Sequence, residues 1–247
     1  MKYAFITGMG RSGTKFLSNL LALDQNIYAF HEYFGHREYW LLSWYIGKSY
    51  TTVFLKNKKN KETKYIDKTL FVDVNSYLSS SVDSLNEIFK NPKIFHLVRN
   101  PKKVVPSIMT RRDDGRMHKI PKTASEIEKW IGMSKLEQVC TNWVKTTENL
   151  LNSDAILIKF EDLTTDFNYV EQNLLIPLQI NISKNQFEEF KTKKINKTRG
   201  KLYRYLYAKY KGKSFVNNNF TYEDFNLEEV NVFNKICGET MSKLGYK

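Results

Sequence analysis

Residues 2–21 read KYAFITGMGRSGTKFLSNLL, and this stretch decides the fold class. Residues 2–7 are a short, mostly apolar run of the length of a buried strand. Residues 8–13 contain three glycines and are typical of a turn. The next apolar residues recur at three- and four-residue spacing, which indicates a helix; they are Phe16, Leu17, Leu20, Leu21 and Leu23. A strand, a glycine turn and a helix together predict the opening of an α/β unit.

The glycine turn has the composition of a phosphate-binding loop. Glycines let backbone N–H groups point into one concavity, and the following helix adds the positive end of its dipole. The magnesium-nucleotide form of this loop, GxxxxGK[ST], has Lys and then Ser or Thr after its last glycine. Here Thr14 occupies the lysine position and Lys15 the hydroxyl position, while Arg11 lies inside the loop. The sequence therefore predicts a phosphate ligand and lacks the usual magnesium residue.

Further strand-like runs alternate with helical patterns along the chain. The strand-like runs are 27–30, 70–74, 93–98 and 155–160, and the helical patterns are 82–89, from Pro101 onward, and 123–151 with a break near Gly132. This alternation predicts an α/β three-layer sandwich with a mostly parallel central sheet, similar to P-loop NTPases, in one domain of residues 1–247. The polar, Lys- and Asn-rich residues 48–64 predict a loop, and the basic C-terminal portion predicts helix.

A second anion site is predicted where the strand of residues 93–98 ends. Arg99 follows this strand directly, at the edge where side chains enter the ligand crevice of an open parallel sheet. Pro101 suits the first turn of a helix, which would carry Ser107. A guanidinium fork beside a hydroxyl is well suited to a terminal phosphate dianion.

The two motifs together resemble those of sulfotransferases that use 3′-phosphoadenosine-5′-phosphosulfate (PAPS). Residues 10–14 are similar to the family's 5′-phosphosulfate loop, and residues 95–107 are similar to its 3′-phosphate motif. The resemblance implies PAPS as donor, 3′-phosphoadenosine-5′-phosphate (PAP) as product, and no metal. It also implies donor contacts from Arg99 and Ser107 and from the loop residues Gly10, Arg11, Ser12, Gly13, Thr14 and Lys15.

Weaker similarities extend the resemblance over nearly the whole chain. Residues 158–163 are similar to a family strand that ends in [YF]-E-D-L, which implies that Phe160 stacks near the adenine. Glu161 and Asp162 are interpreted as residues that cap the following turn. The run Arg199, Gly200 and Lys201 resembles a loop that closes over the 3′-phosphate, and residues 236–246 resemble the closing helix.

The catalytic base is predicted after the second strand, where His31 and Glu32 follow residues 27–30. In carbohydrate-type and bacterial relatives a Glu after this strand is the base, which favours Glu32 with Arg11 assisting. His31 titrates near neutrality and is an alternative, as is Asp73. The cytosolic small-molecule enzymes have a histidine in a K-x-H strand. Because this chain has none there, it resembles the carboxylate-base members more closely.

Composition excludes several classes of protein. The two cysteines, Cys140 and Cys237, are far apart and outside any CxxC motif, which argues against a disulfide framework or zinc site. No apolar run is long enough to span a bilayer, so a cytoplasmic protein is expected. The formal charge of +13 predicts an anionic partner. Residues 184–213 concentrate this charge, with eleven Lys and Arg against two Glu, or +9.

Two other functions are weighed against the sulfotransferase. A P-loop small-molecule kinase would need the GK[ST] lysine, which Thr14 replaces. A polyanion- or nucleic-acid-binding protein would use the basic residues 184–213 with their tyrosines, although no nucleic acid is expected. The acceptor is expected to be a hydroxyl compound such as a carbohydrate, with an amine as the second choice. Five aromatic residues are expected either to line the acceptor pocket or to lie in the core: Tyr33, Phe34, Tyr39, Trp40 and Trp44.

Overall fold

Five parallel strands form the central sheet in the computed structural model, which describes residues 1–61, 67–110, 121–192, 206, 210 and 220–247. The strands are β1 (Lys2–Thr7), β2 (Ile27–His31), β3 (Leu70–Val74), β4 (Lys93–Val98) and β5 (Ile156–Lys159), in the order β2-β3-β1-β4-β5. Each neighbouring pair runs parallel, so the carboxyl ends of all five strands lie along one edge of the sheet. The predicted mostly parallel sheet is confirmed.

The strand β1 lies at the centre of the sheet and is buried on both faces. Ala4 and Ile6 pack into the apolar cluster on one face, and Phe5 packs into a cluster on the other. All three side chains are fully buried. A central parallel strand covered on both faces needs apolar residues at successive positions, which explains the continuous run in the sequence.

Helices connect the strands and cover the sheet. They are α1 (Thr14–Leu21), α2 (Arg37–Ile46), α3 (Lys48–Asn60), α4 (Val82–Ile88), α5 (Pro101–Met109), α6 (Ala124–Ile131), α7 (Lys135–Leu151), α8 (Phe160–Thr165), α9 (Phe167–Val170), α10 (Ile176–Leu178), α11 (Lys184–Thr192) and α12 (Leu227–Lys243). Short 3₁₀ turns occupy Ser76–Leu78 and Tyr222–Asp224, and a π turn occupies Glu171–Leu175. In the described segments, no helix combines the length and apolar character needed to cross a bilayer.

The helices form a layer on each face of the sheet. Leu17 and Leu20 of α1 pack against Ala4 and Ile6 in the first cluster. On the opposite face, Trp143 of α7 packs with Phe233 of α12 and with Val98 and Val104 near the end of β4. A helix layer on each side of one sheet is the three-layer sandwich that the sequence predicts.

The loop predicted for residues 48–64 is wrong over Lys48–Asn60, which form α3. Its inner face buries Thr51 and Leu55, and the Phe54 ring lies 4.6 Å from that of Tyr39 in α2. Thr51, Phe54 and Leu55 recur at helical spacing, whereas Lys56 and Asn57, which follow them, are exposed. Packing of one narrow stripe therefore outweighs the polar composition.

The break predicted near Gly132 is confirmed. Helix α6 ends at Ile131, with Gly132 as its C-terminal cap, and α7 begins at Lys135. Ser134 and Glu137 form a capping box: the Glu137 N–H donates to Ser134 Oγ at 3.3 Å, and the Ser134 N–H donates to Glu137 Oε2 at 2.7 Å. These two bonds satisfy orphan donors at the start of α7 and so fix where this helix begins.

Candidate active site

A cleft of about 720 Å³ lies along the carboxyl edge of the sheet. The loop after β1 forms its floor, and residues that follow each of the other four strands contribute to its walls. Residues from those strand ends are His31, Glu32, Ser76, Arg99 and Phe160. A crevice outside the carboxyl ends of parallel strands is the usual ligand site of an open α/β sheet.

The loop after β1 is curled by backbone geometry that only glycine tolerates at two positions. Gly13 has a φ of +98° and caps α1, and a Cβ there would overlap the ring of Phe160. A Cβ at Gly8 would overlap the backbone carbonyl oxygen of Leu97 in β4. Arg11 is also in the left-handed region, with a φ of +76°. The curled loop leads into the first turn of α1, whose N–H groups have no partners within the helix.

Arg11 and Ser107 join the loop to helix α5. Arg11 Nε donates a hydrogen bond to Ser107 Oγ at 2.8 Å, across 96 residues of sequence. Arg99 Nη1 donates to the backbone carbonyl oxygen of Arg11 at 3.1 Å. The loop after β1 and the segment after β4 are therefore one connected unit with two guanidinium groups. The sequence predicted each motif separately, and the structure brings them together.

Arg99 is held by stacking and leaves a donor for a ligand. Its guanidinium carbon lies 4.6 Å from the centroid of the Phe160 ring, which in turn meets the Phe16 ring edge-on at 5.7 Å. Burial lowers the pKa of Arg99, and the nearby negative charge of Glu161 opposes that shift. Arg99 Nε is buried and has no hydrogen-bond partner among the described residues. An orphaned buried donor on a cation in a cleft fits an anionic oxygen.

The remaining loop residues occupy three different positions. Thr14 is buried, and its Oγ1 lies 3.1 Å from His31 Nε2. Lys15 is exposed and lines the cleft, as does Gly10. Ser12 is only 1% exposed, and its N–H donates to the Met9 carbonyl oxygen at 3.2 Å. The Ser12 side chain therefore lies beneath the loop.

His31 and Glu32 lie beside the loop, at the end of β2, and both line the cleft. His31 Nε2 is 3.8 Å from Glu32 Oε1. Burial lowers the pKa of His31 from 6.5, and Lys15 acts in the same direction, while Glu32 opposes it. Glu32 has a φ of +61°, a conformation that turns the chain sharply after the strand. The structure thus brings both predicted base candidates to one wall of the site.

Asp73 supports this wall from below and is inaccessible to a ligand. Its side chain is fully buried, Oδ1 accepts from the Tyr33 N–H at 2.9 Å, and Oδ2 accepts from the Phe34 N–H at 2.8 Å. The Asn75 side-chain amide also donates to Oδ2 at 3.0 Å and to the Gly35 carbonyl oxygen at 2.9 Å. Asp73 is therefore an anchor of the turn that carries Glu32, and its position argues against the role of base.

Replacing Asp73 with Asn is expected to change how stability depends on pH. Burial raises the pKa of Asp73 from 3.8 to about 6 against the opposing effect of its hydrogen bonds. The folded protein thus binds this proton more tightly than the unfolded chain does. The resulting stability is full below pH 4 and is lost as the pH rises through 6, a loss of about 3 kcal/mol at 1.36 kcal/mol per pKa unit.

The measurement is urea denaturation of wild type and Asp73→Asn at several pH values between about 3 and 7. The free energy of unfolding of wild type relative to the variant should fall by about 3 kcal/mol across this range, since the variant lacks the titrating group. Groups common to both proteins cancel in the difference. Parallel curves would show that Asp73 ionises in the folded protein as it does in the unfolded chain.

One group of residues in the cleft lining is aromatic and polar without formal charge. Trp40 of α2 and Tyr77 lie there with ring centroids 6.3 Å apart, together with Ser76, Asn142 and Thr146. Of the aromatics that the sequence left open, Phe34 and Tyr39 are fully buried in the core, whereas Trp40 lines the cleft. The sequence missed Asn142 and Thr146 because only the packing of α7 against the sheet brings this helix face to the site.

The predicted closing loop, Arg199, Gly200 and Lys201, lies outside the described residues, as does most of the basic stretch 184–213. Lys191, near the end of α11, does line the cleft and was not singled out by the sequence. No group of three or more His, Cys, Asp or Glu side chains suited to a metal occurs in the part of the chain that the structure describes.

Solved structures that resemble this chain include three sulfotransferases or sulfotransferase domains. A sulfotransferase domain from the curacin biosynthetic pathway superposes with a TM-score of 0.55 at 14% identity, covering 100% of this chain and 98% of that domain. Mouse sulfotransferase SULT7A1 complexed with PAP gives 0.53 at 15% identity, with coverage of 97% and 84%. The sulfotransferase domain of the Synechococcus PCC 7002 olefin synthase gives 0.51 at 15% identity, with coverage of 95% and 94%.

The structural likeness shows the fold, and comparison of the sequence with protein families shows the family. No curated protein sequence matches the chain. The model of the sulfotransferase domain family matches residues 2–245, and so includes the glycine loop, the Arg99 segment and the final helix. The chain therefore belongs to the sulfotransferase family.

Proposed function

We propose that this protein transfers the sulfuryl group of PAPS to a hydroxyl group of a second substrate, with Glu32 as the base. The observation that carries the proposal is the network at the cleft floor, where Arg11 bonds to Ser107 and Arg99 bonds to the loop backbone. Glu32 lies on an adjacent wall of the same cleft. The site thus combines anion-binding groups with a base, as group transfer from a polyanionic donor requires.

The donor side of the cleft fits the two phosphate groups of PAPS. The curled loop and Arg11 suit the 5′-phosphosulfate, because N–H groups and a guanidinium converge there. Arg99 with its orphaned Nε, near Ser107, suits the 3′-phosphate. Phe160, stacked on Arg99, offers an aromatic surface beside this position. PAP in the mouse structure is consistent with this assignment.

PAPS supplies a sulfuryl group that is already activated for transfer. The acceptor oxygen forms a bond to sulfur, the bond from sulfur to the bridging 5′-phosphate oxygen breaks, and PAP leaves. Glu32 takes the acceptor proton, while Arg11 and the loop N–H groups stabilise the charge on the leaving phosphate. His31 is held by Thr14 at 3.1 Å and lies 3.8 Å from Glu32, which suits it to orient the carboxylate.

The acceptor is proposed to be a hydroxyl compound such as a carbohydrate, bound against the uncharged wall. Trp40 and Tyr77 provide aromatic surface, and Asn142 and Thr146 provide polar groups. A few polar groups among aromatic side chains are typical of a small-molecule site that fixes the orientation of its ligand. A charged amine would be bound more tightly by a carboxylate than by amide and hydroxyl groups. The uncharged wall therefore favours a hydroxyl acceptor.

Replacing Glu32 with Gln is expected to lower the turnover number by about 100-fold or more, since general-base catalysis contributes 10²–10⁴-fold. PAP binding should change less than about threefold, because Glu32 is not among the proposed donor ligands. The measurement is PAP release from PAPS in the presence of an acceptor, with calorimetry for binding.

The pH profile separates the two base candidates. Since burial lowers its pKa from 6.5, the neutral form of His31 predominates at pH 7, and the charged form increases as the pH falls. If His31 were the base, Glu32→Gln would retain most activity, and His31→Asn would remove the acid limb below pH 6.5. That pattern would transfer the role of base from Glu32 to His31.

Calorimetry with PAP in a metal-chelating buffer tests the donor assignment. Binding without metal is expected, and ATP with magnesium should compete weakly. The opposite result, no PAP binding but binding of ATP that needs magnesium, would contradict the proposal and favour a small-molecule kinase.

A further inference from the structure

Glu161 connects three parts of the chain behind the Arg99 guanidinium. It lies in the first turn of α8, directly after Phe160. Its Oε1 accepts from the backbone N–H of Asn100 at 2.9 Å, and its Oε2 accepts from the Tyr246 hydroxyl at 2.9 Å. Both carboxylate oxygens are therefore engaged by neutral donors.

The bond to Asn100 fixes the segment that carries Arg99. Asn100 is the N-cap of α5, and its Oδ1 accepts from the Lys102 N–H at 2.9 Å. Arg99 immediately precedes this cap and stacks on Phe160, which immediately precedes Glu161. Two contacts thus join the segment after β4 to the segment after β5. Arg99 stacks on Phe160, and the Asn100 N–H bonds to Glu161. Glu161 has a positioning role that its sequence motif does not reveal.

Tyr246 reaches Glu161 because the chain reverses after α12. Gly245 has a φ of +70°, and the Tyr246 N–H donates to the Met241 carbonyl oxygen at 2.9 Å. This is the geometry of a glycine-terminated helix. Burial raises the pKa of the Tyr246 phenol, and the negative charge of Glu161 raises it further. The hydroxyl is therefore protonated and acts as a donor at neutral pH.

The hydrogen bond from the Tyr246 hydroxyl fixes the direction of the Glu161 carboxylate relative to Arg99. Its charge is close enough to Arg99 to raise the pKa of that guanidinium. No ion pair joins Arg99 to an acidic side chain within the described ranges, and Arg99 Nε has no partner there. A carboxylate released from Tyr246 would turn an acceptor oxygen toward Arg99 and compete with an anionic ligand.

We propose that the Tyr246 hydroxyl is a positioning group for the donor site: it holds the Glu161 carboxylate away from Arg99, so that this guanidinium remains open to a phosphate monoester. The proposal rests on the proposed function, because the ligand of Arg99 is there the 3′-phosphate of PAPS. It assigns a role in donor affinity to Tyr246, which contacts the donor site only through Glu161.

The test is calorimetric titration of PAP into four variants and wild type at pH 7. Tyr246→Phe removes only the hydroxyl and is expected to weaken PAP binding about three- to tenfold, the range for one hydrogen bond. Tyr28→Phe is the matched control, since its hydroxyl donates to Asp67 at the opposite edge of the sheet. It should leave PAP binding unchanged.

A double variant distinguishes this role from a general loss of structure. In Glu161→Gln no carboxylate can compete for Arg99, so adding Tyr246→Phe should change the PAP dissociation constant less than about twofold. An equal effect of Tyr246→Phe in both backgrounds would contradict the proposal, as would a Tyr246→Phe single variant that binds PAP like wild type. If wild type itself fails to bind PAP, the proposed function fails with it. If wild type binds and only the Tyr246 result differs, the failure belongs to this inference alone.

Discussion

Arg99→Ala is expected to weaken PAP binding by at least about 100-fold, or about 3 kcal/mol, the range for truncating one member of a buried charge pair. Arg99 is the cation at the end of β4 with a buried donor that lacks a partner among the described residues. Its removal also takes the stacking partner from Phe160 and the donor from the Arg11 carbonyl oxygen. Calorimetric titration of PAP into wild type and variant measures the effect.

Two further variants control for charge and geometry. Lys48→Ala also removes one positive charge, but Lys48 pairs with Glu87 on the exposed surface, so PAP binding should be unchanged. Arg99→Lys keeps the charge and loses the planar fork, and it should bind PAP with intermediate affinity. Equal losses in Lys48→Ala and Arg99→Ala would show that net charge alone attracts PAP, and would remove Arg99 from the site.

Gly13→Ala is expected to lower the free energy of unfolding by about 3 kcal/mol and to abolish measurable PAP binding. A φ of +98° is unfavourable for alanine, and the added methyl would overlap the Phe160 ring. That ring is confined between Arg99 and Phe16, so it moves only by giving up both contacts. Urea denaturation and PAP calorimetry on the same protein measure the two effects.

Gly238→Ala is the matched control for this substitution. Gly238 lies inside α12, and a Cβ there would meet no atom within 4 Å. The change should be neutral or stabilising by up to about 1 kcal/mol, as expected for Gly to Ala in a helix. If Gly13→Ala behaved like Gly238→Ala, the tight packing of the loop against Phe160 would be excluded.

The fold class was accessible from the sequence because its signals are local. The run of residues 2–7 followed by the glycine turn and helix α1 depends on periodicity and turn chemistry within a short window. The Arg99 and Pro101 segment is similar, since proline marks the helix start directly. The prediction of a loop over residues 48–60 was wrong because the interactions that form this helix are not local. The helix α3 is stabilised by contacts of Leu55 and Phe54 with distant elements, and those contacts leave no trace in local composition.

Some residues of the candidate site could likewise be predicted from the sequence, and the roles of others could not. The sequence predicted Arg99 and Glu32 at the site because each follows a strand-like run, and parallel strands end along one edge. It predicted Arg11 from the glycine loop and Phe160 from the family resemblance. It treated Asp73 as a possible base, whereas its complete burial beneath the Tyr33 and Phe34 amides makes it an anchor. Burial depends on which elements cover a residue, and no local window contains that information.

By itself the sequence determined the order of the five strands, the glycine loop after the first strand and the placement of Arg11 and Arg99 beside strand ends. These features follow from backbone preferences and from residues adjacent in the chain. Tertiary structure decided the bond between Arg11 and Ser107, the presence of Trp40 and Asn142 in the cleft lining, and the hydrogen bond from Tyr246 to Glu161. Each of these joins residues far apart in sequence. Their side chains meet only because the central sheet brings the ends of its strands together and α7 and α12 pack on one face.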